Sequence, residues 1–134
     1  MTIARLALAA ACLAVVGCTA DTSDLKTLSV SDVATLHEKD GAVLVDANGA
    51  ATREKYGIVP GAILLTSSSA YALSELPVDK HSSLVFYCAS TMCSAAPKAA
   101  RRAVEAGYAD VHVLPEGIQG WVEAGLPVDT PKAG

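Results

Sequence analysis

Leu84-Val85-Phe86-Tyr87 is an apolar run of strand type that stops abruptly at Cys88. A short loop follows, Ala89-Ser90-Thr91-Met92, and a second cysteine, Cys93, closes it. From Ser94 the chain turns alanine-rich, and the pattern predicts a helix over 94–106 ended by Gly107 as C-cap. A strand with no polar alternation must be covered on both faces, which is the habit of parallel sheets flanked by helices. The same handover from strand to helix sets a thiol where backbone N–H groups and the positive end of a helix dipole converge. Such surroundings favour the thiolate, the reactive form of cysteine. The bland alternative is a buried strand-end cysteine acting as a small hydrophobe.

The rest of the chain repeats the alternation. Short strands are expected at Leu28-Ser29-Val30, Ala42 to Asp46, Ala62 to Leu65, Ser82 to Tyr87 and Val111 to Leu114. Between them come a helix from Asp32 to Lys39 capped by Ser31, a short helix from Thr52 to Tyr56, and a polar loop from Ser67 to Leu76 with one helical turn. Pro115 to Gly120 reads as loop and Trp121 to Ala124 as a short closing helix. The expected fold is therefore α/β, with a central, mostly parallel five-stranded sheet and helices on both faces. Ligand sites in such sheets lie beyond the carboxyl ends of the strands, where Asp46 and Cys88 both fall. Tyr87 is expected to face the core, and Trp121 to pack rather than to act.

The N-terminus reads as a targeting segment. Arg5 precedes an unbroken apolar run from Leu6 to Val16, shorter than the roughly 20 residues that span a bilayer. Val15-Val16-Gly17-Cys18 resembles the lipobox of bacterial lipoproteins, in which the cysteine is acylated and becomes the new N-terminus; an ordinary secretory signal cleaved after Ala20 is the alternative. The division expected is a signal peptide over 1–17, a tether over 18–26, one domain over 27–130 and a tail over 131–134. The mature protein would be held in the bacterial cell envelope through Cys18, facing the periplasm. Thr19, which is not Asp, would direct it to an outer rather than an inner membrane. Loss of Arg5 takes the net charge from −4 to −5, and an acidic exported domain has no electrostatic footprint for nucleic acid. Once Cys12 leaves with the signal and Cys18 is acylated, Cys88 and Cys93 are the remaining thiols. His37, His81 and His112 are scattered, no Cys/His spacing suits zinc, and neither metal nor cofactor is expected.

Three pieces of the chain, in order, resemble the rhodanese-like domain family: Val43-Leu44-Val45-Asp46-Ala47, Gly57-Ile58-Val59-Pro60-Gly61-Ala62, and Tyr87-Cys88 with its loop. Ala99-Ala100, Gly107-Tyr108, Gly117-Ile118, and Trp121 near Gly125-Leu126-Pro127-Val128 continue the likeness, which covers nearly the whole mature chain. The resemblance implies a sulfurtransferase or sulfane-sulfur carrier that forms a persulfide on Cys88. Its partners would be a small sulfur donor and a thiol acceptor. Ala89, Ser90, Thr91, Met92, Cys93 and Ser94 would form the active-site loop, with backbone N–H groups around the Cys88 sulfur. Asp46, Arg53 and Lys98 would support it, Asp46 by orienting loop backbone or Arg53, or simply by capping nearby N–H groups.

The departures from the family pattern bear on activity. The family usually carries arginine just after the cysteine and at the closing position of the loop; here those places hold Ala89 and Cys93. Thiosulfate, a dianion, would be turned over poorly, because Lys98 is the nearest cation in sequence. Phosphatases of related fold close a longer loop with arginine, and this loop has neither feature. Cys93 has two readings, a small packing residue or a resolving thiol that forms a disulfide with Cys88. Beside the sulfurtransferase stand a thiol–disulfide switch using Cys88 and Cys93, and a non-catalytic binding module of the same fold.

Overall fold

The computed structural model describes residues 25–132; the expected signal peptide, Cys12, and Cys18 with its expected acylation lie outside them. Strands run over Lys26–Thr27 (β1), Val43–Asp46 (β2), Ile63–Leu64 (β3), Ser83–Tyr87 (β4) and Asp110–Leu114 (β5). Helices run over Val30–Glu38 (α1), Ala50–Tyr56 (α2), Ala95–Glu105 (α3) and Gly117–Glu123 (α4), with one 3₁₀ turn at Leu73–Glu75. The five strands form one sheet in the order β1-β5-β4-β2-β3. Every pairing in it is parallel, with β4 central between β2 and β5.

The two faces of the sheet are sorted by the pleat, since successive side chains of a strand point to opposite sides. Leu84, Phe86 and Cys88 join one core, together with Val45, Val111, Val113, Tyr71 and the alanines of α3. Val85 and Tyr87 join the other, together with Leu44, Leu114, Val33 of α1, and Ile118 and Trp121 of α4. Both faces are therefore apolar, which is why β4 shows no alternation in sequence. Helix α3 meets the sheet through Ala96, Ala99, Ala100 and Ala103, none more than 1% exposed. Their spacing puts all four on one stripe of the helix. Trp121 is 1% exposed, and its Nε1 donates to the Pro127 carbonyl at 2.8 Å, which closes the domain.

Several boundaries differ from expectation for identifiable reasons. Helix α1 starts two residues earlier than predicted, because Ser29 rather than Ser31 is the N-cap and its hydroxyl accepts from the Asp32 N–H at 3.2 Å. That shift moves the first strand to Lys26–Thr27, paired with His112 and Val113, so Lys26 belongs to the sheet rather than to the tether. Helix α4 begins at Gly117, inside the expected loop. Two glycines in four residues argue against a helix by propensity, but its first N–H groups find tertiary partners.

Candidate functional site

Parallel pairing aligns Asp46 with Tyr87, so β2 and β4 end together at the carboxyl edge of the sheet and Cys88 follows directly. The loop after Cys88 is a tight turn. The Cys93 N–H donates to the Ser90 carbonyl at 3.1 Å, and the Met92 N–H to the Ser90 hydroxyl at 3.4 Å. Met92 sits at its tip, 92% exposed. The turn brings the Cα atoms of residues 88 and 93 to 6.3 Å, within the disulfide range. Cys88 and Cys93 are joined by a disulfide bond. The loop expected to turn its N–H groups onto the Cys88 sulfur thus spends two of them on Ser90, and Cys93 occupies the sulfur instead.

The carbonyl side of the same loop is held from α4. The Ile118 N–H donates to the Cys88 carbonyl at 2.8 Å and the Gln119 N–H to the Ala89 carbonyl at 3.0 Å. This close approach requires a residue without a side chain. At Gly117, with φ +62°, a Cβ would stand 2.5 Å from the Cys88 carbonyl oxygen and 2.7 Å from the Ala89 carbonyl carbon. Gly117-Ile118 therefore has a physical task, which is to let the last helix begin against the cysteine loop.

Asp46 is fully buried and serves the scaffold. One carboxylate oxygen accepts from the Asn48 N–H at 2.7 Å and from Arg53 Nε at 3.3 Å, and the other accepts the Tyr87 hydroxyl at 2.7 Å. Arg53 also donates to the Asp46 and Leu65 carbonyls at 3.1 and 3.0 Å. A buried carboxylate is tolerable only when its charge is paired and its lone pairs filled, as here. Tyr87 completes the network by accepting the Val59 N–H at 3.1 Å. Burial, and then the carboxylate beside it, push its phenol far above the ordinary range, so it stays a neutral donor. The residue before Cys88 is thus clamped, while Arg53 is turned toward Asp46 and Leu65.

A cavity of about 270 Å³ opens beside the disulfide. Cys88, Thr91 and Cys93 line one side, Pro97 and Arg101 of α3 another, and Leu25 and Thr27 of the β1 edge a third. Cys88 is 3% exposed and Cys93 half-buried, so Cys93 is the more accessible of the two residues. Arg101 is the one charged residue in this lining among the described residues. Lys98, expected to supply the cation, is exposed and does not line the cavity. Sequence distance from Cys88 suggested Lys98, whereas helical period decides. Pro97 and Arg101 are four residues apart on one face, and Lys98 is rotated away by a single step. Leu25 and Thr27 escaped sequence reasoning because only the pairing of β1 with β5 carries them to this edge. Among the described residues no cluster of three or more His, Cys, Asp or Glu could hold a metal ion.

The model of the rhodanese-like domain matches residues 29–124. No curated protein matches the chain in sequence. Solved structures resemble it over about 80% of its length. A protein of unknown function from Rhodopseudomonas palustris, described as a possible tyrosine phosphatase, is 25% identical, with a TM-score of 0.64 over 80% of this chain and 86% of that one. Thiosulfate sulfurtransferase from Pseudomonas aeruginosa is 21% identical, with a TM-score of 0.66 over 81% of this chain and 21% of that one. SseA from Escherichia coli, of the 3-mercaptopyruvate sulfotransferases with the "rhodanese" fold, is 18% identical, with a TM-score of 0.64 over 81% of this chain and 52% of that one. The last two likenesses are likenesses of fold.

Proposed function

The chain belongs to the rhodanese-like domain family, and on that premise we propose that it is a sulfane-sulfur carrier which forms a persulfide on Cys88. The observation that carries this reading is the placement of Cys88. It directly follows the central strand, its carbonyl is fixed by α4, and it lines a cavity of about 270 Å³. In the reduced protein the Cys88 thiolate attacks the outer sulfur of a donor R–S–SH, expels RS⁻, and is left as Cys88–S–SH. In the disulfide form that lone pair is committed to Cys93, so two equivalents of an external thiol must first open the bond and leave as their own disulfide. With Arg101 as the one charged residue lining the cavity, thiosulfate is a weak donor and a donor of lower charge a better one. The phosphatase description of the R. palustris protein is not carried over, since the turn closes on Cys93 where related phosphatases close a longer loop with arginine. The proposed place of action is the envelope, with the domain tethered through an acylated Cys18.

The test is to incubate the reduced chain with sulfane-sulfur donors and weigh the Cys88 peptide. A gain of about 32 Da, one sulfur atom, is expected; no gain with any donor would sink the reading. The disulfide supports a second reading, in which Cys88 and Cys93 are a redox couple without sulfur transfer. Two free thiols after oxidant challenge would rule that out.

A further inference from the structure

The Cys88–Cys93 disulfide and the burial of Cys88 together constrain how a sulfur on Cys88 can leave. Resting on the carrier function proposed above, we infer that Cys93 discharges the Cys88 persulfide as hydrosulfide, so that the disulfide is the product of a turnover step and not damage to the site. The Cys93 thiolate attacks the inner sulfur of Cys88–S–SH. The new bond is Cys93–S–S–Cys88, the bond that breaks is the one to the outer sulfur, and HS⁻ leaves with its electron pair. The outer sulfur is reduced from the sulfane to the sulfide level, and the two cysteine sulfurs supply the electrons as they become a disulfide.

Two observations and a general principle point this way. The inner sulfur of the persulfide is Cys88 Sγ, the atom that Cys93 reaches in the structure. Cys88 is 3% exposed and lines the cavity, so an external compound comes to it through that opening, whereas Cys93 already stands beside it in the turn. An attacking group held in place has an advantage that a dissolved one lacks, because its translational freedom has already been surrendered. The return step follows from the same asymmetry. The half-buried Cys93 borders the cavity, so an organic thiol entering past Thr27, Pro97 and Arg101 attacks Cys93 and releases Cys88 as the leaving thiolate. A second thiol then frees Cys93 and departs in an organic disulfide. The protein becomes a reductase of sulfane sulfur, with thiols as the electron source and hydrosulfide as the product.

The experiment uses the full chain, reduced and freed of reductant, with cysteine persulfide as the probe and Cys88→Ala as the blank. Hydrosulfide is quantified and intact masses are read in parallel for wild type and Cys93→Ser, with Cys93→Ala as a second variant and circular dichroism to confirm folding. Wild type is expected to release about one hydrosulfide per chain above the blank and to end as the 88–93 disulfide. Cys93→Ser is expected to hold the extra sulfur on Cys88 and to release less than about a tenth as much. If wild type retains its sulfur as the variants do, or carries it on Cys93, the discharge step is overturned and the Cys88 carrier stands. If no chain takes up sulfur, the carrier falls and this step with it.

Discussion

Gly117 shows how much of the site rests on one absent side chain. Alanine there would face the Cys88 and Ala89 backbone at distances no Cβ accepts, in a left-handed conformation with φ +62°. The conformation alone costs about 1–3 kcal/mol, and Gly117→Ala is expected to lose at least that in urea unfolding, while Gly125→Ala, with nothing within 4 Å of its Cβ, loses only the conformational part. Gly117 could be noticed in the sequence, but its partner could not. The contact joins residues nearly thirty positions apart and is backbone to backbone. Cys88 and Asp46 were legible for the opposite reason, since each ends an apolar run and strand ends are visible in a pattern. The pairing of Asp46 with Arg53 was legible too, since orienting Arg53 was one of the roles expected of Asp46, but the reach of Arg53 to the Leu65 carbonyl was not, because it depends on the pairing of β2 with β3.

At the scale of elements, α3 is the member whose sequence explains its packing most directly. An alanine stripe brings a helix close to the sheet and leaves no room for larger side chains. Ala100→Leu, at 0% exposure, is expected to overpack that contact and cost about 1–3 kcal/mol, read as a lower thermal midpoint. Val104→Leu, on the exposed side of the same helix, is expected to cost far less. The 3.6-residue period made α3 readable, and continuous apolar runs did the same for β2 and β4. β1 and α4 were misplaced because neither is specified locally. β1 has two residues and exists through its pairing with His112 and Val113, and α4 starts where the Cys88 and Ala89 carbonyls accept its first N–H groups.

The whole molecule reports its packing through tyrosine. Tyr71 is buried between α3 and the loop before β4, and its hydroxyl donates to the Ala99 carbonyl at 2.8 Å. Burial raises its phenol from 10.0 to about 12, against a smaller opposing pull from Arg102. A pKa raised by folding means stability that is fully present below pH 10 and is lost as pH climbs toward 12. Tyr87, raised further, acts in the same direction. The urea midpoint is therefore expected to hold steady up to pH 10 and fall beyond it, and Tyr71→Phe to flatten the early part of that fall. The geography of the cavity has a different consequence. One wall comes from Thr27 of the two-residue edge strand β1 and from Leu25 just before it, while the cysteines and Arg101 come from the loop after β4 and from α3. Choice of guest and chemistry are thus written in separate stretches of chain. The edge can drift, lengthen or be exchanged while the inner strands and the cysteine loop stay put, so under the proposed function one scaffold is retuned to a new thiol without rebuilding the cysteine pair.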